Sequence, residues 1–77
     1  MERECLLQEL EYEFICDFIR LRRSFGLTQR ELALMSGVVR EKIAKIETCL
    51  NSPQLNSLIR ILEPIGYTVR IVPIDED

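Results

Sequence analysis

Seventy-seven residues, 47% apolar and 30% charged with a net charge of −3, hold one small domain whose marginal core makes oligomerisation a natural source of further burial. No run of about 18 apolar residues occurs, which excludes a membrane-spanning helix, and the acidic N-terminus lacks the apolar stretch of a secretory leader. Cys5, Cys16 and Cys49 lack metal-ligand spacing and the chain has no histidine, so the thiols read as reduced and cytosolic, with no metal or cofactor expected.

Residues 2–25 read as one helix. Leu7, Leu10, Phe14, Phe18, Leu21 and Phe25 recur every three or four positions, and Ile15 and Ile19 widen the stripe. Gly26 stops it after the cluster Arg20, Arg22, Arg23, cations that suit a helix C-terminus. Residues 1–12 form an acidic, amphipathic extension, either a solvated helix face or a docking surface for a partner.

The stretch Leu27 to Glu47 reads as two short helices around a tight turn. Thr28 and Glu31 form a capping box, with Leu27 and Leu32 as its hydrophobic staple. Leu32, with Met35 or Ala33, supplies the inward face. Ser36-Gly37 ends the first helix, because glycine takes positive φ without a Cβ clash. A second helix starts near Val39 or Arg40. Ile43 and Ile46 face inward, which leaves Arg40, Glu41, Lys42, Lys45 and Glu47 for the remainder of its surface.

Asn51-Ser52-Pro53 restarts the chain, with Ser52 as N-cap and Pro53 in the first turn. Leu55, Leu58, Ile59 and Leu62 make the stripe of a helix that ends near Leu62 or Glu63, ahead of Pro64 and Gly66. The period then changes to two. Tyr67, Val69 and Ile71 face one way, and Thr68, Arg70 and Val72 the other, up to Pro73. A lone strand leaves backbone groups unpaired, so the same strand of a second chain is its natural partner across a two-fold axis; the alternative is a tail that folds back on its own domain or lies disordered.

These residues resemble the Cro/repressor-type, or Xre, family of DNA-binding domains. The matching elements are Leu21-Arg22, Gly26-Leu27-Thr28-Gln29, Glu31-Leu32-Ala33, Ser36-Gly37-Val38 and Ile43-Ala44-Lys45-Ile46-Glu47. The likeness covers about residues 14 to 63. Val39 stands where the family has Ser or Thr, and Thr48-Cys49 where it has Asn-Gly. The strand after four helices is similar to antitoxins of the HipB type. The resemblance implies a mainly α fold: a four-helix repressor-like domain over 14–63, the extension 1–12, and a dimerisation strand at 66–73.

The resemblance also implies function. Arg40, Glu41 and Lys45 match base-reading positions, with Ala44 beside them: Arg40 toward guanine, Glu41 toward cytosine N4, Lys45 toward guanine or a phosphate. Gln29 matches a phosphate-holding position at a helix start. Arg30, Lys42, Asn51 and Ser52 are further phosphate candidates. Arg22 and Glu47 match a partly buried ion pair, in which each charge needs the other. The expected protein is a cytoplasmic homodimer, nucleoid-associated when bound to a palindromic operator of double-stranded DNA. It represses transcription and partners a cognate toxin. A phage-type regulator, or an interaction module that has lost DNA binding, is the alternative.

Charge distribution agrees with a nucleic-acid partner. Residues 18–50 carry seven Arg and Lys against three acids, net +4, while residues 1–17 are net −5 and residues 51–77 net −2. A phosphate meets the local field within a Debye length of about 8 Å. The acidic ends weaken non-specific binding. Catalysis finds no support: histidine is absent, the serines lack a base, and no Gly-rich phosphate loop occurs.

Overall fold

The computed structural model describes residues 2–50 and 52–74, with side chains from residue 9 onward. Four helices follow in order: α1 (Glu2–Ser24), α2 (Gln29–Ser36), α3 (Arg40–Glu47) and α4 (Leu55–Leu62), closed by a 3-10 turn at Glu63–Ile65. The core draws on all of them. Ile15 and Phe18 of α1, Leu32 of α2, Val38 of the turn, Ile43 and Ile46 of α3, and Ile61 and Leu62 of α4 are buried together. Leu32, Ile43 and Ile61 are sealed completely, with α2 packed against α4 and α3 against α1.

α1 ends as glycine chemistry requires. Gly26 takes φ 70°. Its N–H donates to the Arg23 carbonyl at 2.9 Å, and the Leu27 N–H donates to that of Arg22 at 3.2 Å. The buried side of α1 is narrower than the sequence stripe. Ile15 and Phe18 are buried and Phe14, Ile19 and Leu21 half-buried, but Leu10 and Phe25 are half exposed. The eight-residue α3 packs against a 23-residue helix, so the stripe outruns that cover. Leu7 lies outside the residues with described side chains.

α2 carries its capping box in full. The Glu31 N–H donates to Thr28 Oγ1 at 3.0 Å, and the Thr28 N–H donates to Glu31 Oε1 at 2.9 Å. Leu32 is the inward residue with Ala33 half-buried, and Met35 is exposed. The turn to α3 is set by Gly37 at φ 78°, whose N–H donates to the Ala33 carbonyl.

α4 departs from expectation at both its start and its face. It begins at Leu55 with Gln54 as N-cap, not at Ser52-Pro53. The Ser52 hydroxyl instead donates to Glu11 Oε2 at 2.7 Å, pinning the loop to α1. Residues before a proline favour extended backbone, and Gln54 is itself extended at φ −76°, ψ 145°. The buried face is Ser57, Leu58, Ile61 and Leu62, while Leu55 and Ile59 are left exposed. The apolar arc is wider than its cover, and α2 packs on the edge that carries Ile61 and Leu62.

Pro64 falls within the 3-10 turn, and Gly66 ends it at φ 85°. Residues 67–74 then run on without regular secondary structure. The expected strand at 66–73 forms no ladder among the described residues, because the single chain offers no second strand. Tyr67 meets Phe25 edge-on at 6.4 Å between ring centres, and Val69 packs on the core. Ile71 has run past the body of the domain and is fully exposed.

Candidate nucleic-acid interface

α3 presents a polar surface because Ile43 and Ile46 commit its opposite side to the core. At about 100° per residue, Glu41 and Lys45 fall farthest from those two isoleucines. Both are exposed, as are Arg40 and Lys42, and Ala44 is half-buried beside them. Among the described residues no acid other than Glu41 lies on the exposed side of α3.

Arg40 leans toward α2. Its Nη1 donates to Gln29 Oε1 at 3.1 Å, and Gln29 Nε2 donates to Glu47 Oε1 at 2.8 Å. Glu47 is held in turn by Arg22, through Nε at 2.8 Å and Nη2 at 3.0 Å, a two-point fork on the carboxylate. Arg22 Nη1 also donates to the Leu27 carbonyl at 2.7 Å. Both charged side chains are more than nine-tenths buried. A chain of hydrogen bonds therefore runs from the floor of α1 to the outer face of α3. The sequence suggested Gln29 as a phosphate holder. The structure gives its side chain a partner at each end, as the link between the buried pair and Arg40. The spacing of Gln29, Arg40 and Glu47 carries no local periodicity, so only the assembled corner brings them together.

The two ends of α3 show what the unusual residues do. Val39 occupies the N-cap position with extended backbone and no side-chain bond, and its side chain is 64% exposed. The Lys42 N–H donates to the Val39 carbonyl at 3.0 Å, and the Arg40 and Glu41 amides are left without a capping acceptor. At the other end the Thr48 hydroxyl donates to the Lys45 carbonyl at 2.6 Å. Cys49 then turns the chain at φ 63°, a left-handed conformation that costs a side-chain-bearing residue about 1 kcal/mol.

The remaining phosphate candidates separate. Arg30 is exposed and lines the open groove between α2 and α3 with Leu34, Val39 and Arg40. Lys42 lies on the other flank of α3, in a cleft shared with Asn56, Ser57 and Arg60 of α4. Ser52 is occupied by Glu11. Asn51 lies outside the described residues. Asn56 and Arg60 are not picked out from the sequence, where α4 is read through its apolar stripe Leu55, Leu58, Ile59 and Leu62. Their i, i+4 spacing beside that stripe is the signal that marks them.

Comparison with known proteins follows the same residues. The helix-turn-helix family profile matches residues 19–72. An uncharacterised HTH-type transcriptional regulator of Haemophilus influenzae is 37% identical over 73 residues, covering 95% of this chain and 74% of the relative. A solved toxin–antitoxin module from Streptococcus pneumoniae superposes with a TM-score of 0.78 at 32% identity, over 96% of this chain and 82% of that one.

Proposed function

The chain belongs to the helix-turn-helix family of Xre-type transcriptional regulators, and from that premise we propose that it is a dimeric, sequence-specific repressor acting as an antitoxin. The observation that carries the DNA part is the face of α3. Arg40, Glu41 and Lys45 are exposed on a helix whose other side is locked by Ile43 and Ile46. In the major groove Arg40 grips guanine O6 and N7, Glu41 accepts from cytosine N4, and Lys45 reaches guanine or a phosphate. Ala44 offers a methyl to thymine. The backbone N–H of Gln29, at the first position of α2, is a phosphate donor of the kind that helix starts leave open.

Dimerisation is supported by apolar surface that one chain leaves uncovered, namely Leu55, Ile59, Tyr67, Ile71 and Val72. The strand 66–73 pairs with its copy across the two-fold axis. The two α3 helices then enter successive major grooves about 34 Å apart, and the operator is a near-palindrome. The antitoxin role is supported by the similarity to the Streptococcus pneumoniae module. In that role the operator lies in the promoter of the protein's own operon, and a toxin is the second partner.

The test is a gel-shift titration with duplexes from that promoter and with scrambled duplexes, at graded salt. The wild type is expected to prefer one palindrome. Arg40→Ala is expected to lose about 1–3 kcal/mol and relax the base choice at one position per half-site. Equal binding to promoter and scrambled duplexes at every salt concentration would discard sequence-specific recognition.

A further inference from the structure

Lys42 and Arg60 meet across a cleft of about 220 Å³ between the first turn of α3 and the side of α4. The remaining lining is Gly37, Val38, Val39, Asn56 and Ser57, with no carboxylate among the described residues. Neither cation has an ion-pair partner among the described residues, although the domain is acidic overall. Both are exposed at the mouth, while Ser57 is buried in the wall. Side chains on a helix lean toward its N-terminus, so Arg60 reaches back over Asn56, one turn earlier on the same face. Val39 caps α3 with no side-chain acceptor; the Lys42 N–H donates to the Val39 carbonyl at 3.0 Å, which leaves the Arg40 and Glu41 amides as the first-turn donors without a capping partner. Two unpaired cations, an amide side chain and open helix donors around a space of this size suit a tetrahedral dianion or monoanion.

The geometry points to this cleft as a seat for a backbone phosphate of the bound DNA, held by Arg60 and Lys42 with Asn56 beside them. It rests on the DNA-binding role proposed above and adds α4 to the interface. α2 contacts the backbone from one flank of the reading helix, through Gln29 and Arg30. α4 contacts it from the other, so α3 is clamped on both sides and cannot roll in the groove. Lys42 alone would be one exposed charge. Paired with Arg60 it has a fixed partner on a second helix, which defines where the phosphate sits. Such contacts set position and affinity and leave base choice to Arg40, Glu41 and Lys45.

Salt dependence reads this directly. Affinities of wild type, Arg60→Ala, Arg60→Lys and Arg40→Ala are measured on a promoter palindrome and on a scrambled duplex across a range of salt. The wild type's binding to duplex DNA tests the underlying function, and its absence would overturn both readings. Given binding, Arg60→Ala is expected to weaken both duplexes by the same factor and lower the salt slope by about 1 per bound chain. Arg60→Lys is expected to keep the slope, and Arg40→Ala to lose preference for the palindrome. An unchanged slope in Arg60→Ala, with wild-type melting behaviour, overturns the assignment. Melting in inorganic phosphate at matched ionic strength separates a free anion from a DNA phosphate. A phosphate-specific stabilisation lost in Arg60→Ala, with the salt slope intact, would give the cleft to a soluble anion and overturn the DNA contact.

Discussion

An arginine side chain that is 8% exposed has given up most of its hydration, and Arg22 replaces it through two bonds to Glu47 and one to the Leu27 carbonyl. Removing one partner leaves a buried charge facing empty space, which costs about 3–5 kcal/mol. That is a large part of the roughly 5–15 kcal/mol that holds a small domain folded. Glu47→Ala is therefore expected to shift the urea midpoint sharply downward. The double variant Arg22→Met, Glu47→Leu should recover much of the loss, since it buries apolar volume and strands no charge. Equal or additive damage in the double variant would mean that the two side chains do not act as a pair. Glu47 also anchors Gln29, so its loss releases the link that steers Arg40. This part of the site was only half legible in the sequence. The positions of Arg22 and Glu47 could be matched to a known pattern. The bridging by Gln29 could not, because an amide that donates at one end and accepts at the other is indistinguishable in sequence from one turned to solvent.

At the scale of elements, the helix ends follow local chemistry where a side chain supplies a partner and depart from it where tertiary contacts outbid one. The capping box of α2 and the glycine stops at Gly26, Gly37 and Gly66 were legible because their causes lie within a few residues of each other. The start of α4 was not. Ser52 is a good cap by type, but Glu11, forty-one positions earlier, takes its hydroxyl. The true face of α4 was hidden for a related reason: with apolar residues over so wide an arc, only packing decides which edge is covered. α3 offers the matching test of a missing local partner. Val39 already has the backbone of an N-cap, at φ −62° and ψ 147°, and its mostly exposed side chain buries little. The Lys42 amide already donates to the Val39 carbonyl, so Val39→Ser should supply the absent acceptor to the Glu41 amide and stabilise by about 1 kcal/mol. Thermal melting should rise by about 4–8 °C. A lower or unchanged melting temperature would show that the first turn of α3 gains nothing from a side-chain acceptor.

For the molecule as a whole, the open question is what covers its apolar edge. Tyr67 and Val69 still touch the body of the domain, through Phe25 and the core, but Ile71 touches nothing and is 101% exposed, with Val72 and Ile74 mostly exposed after it. The sequence gives these residues a strand's alternation, yet a strand needs a neighbour, and that neighbour is not legible in one chain. In the dimer proposed above, a second copy supplies it and at the same time covers Leu55 and Ile59. It also presents α3 twice, which a palindrome requires. Ile71→Asp separates the folded chain from the assembly. In a single chain the substitution meets only solvent, so the helical circular dichroism and the buried Arg22–Glu47 corner should be unaffected. In a dimer it sets a carboxylate, together with its symmetry mate, in the middle of an apolar sheet, where an unpaired charge is strongly disfavoured. Analytical ultracentrifugation should therefore find the wild type dimeric at micromolar concentration and Ile71→Asp monomeric. The monomer should also bind a full palindrome no better than a single half-site. A variant that sediments as a dimer and keeps its preference for the full palindrome would place the two-fold contact elsewhere, and the exposed row on α4 would be the next surface to charge.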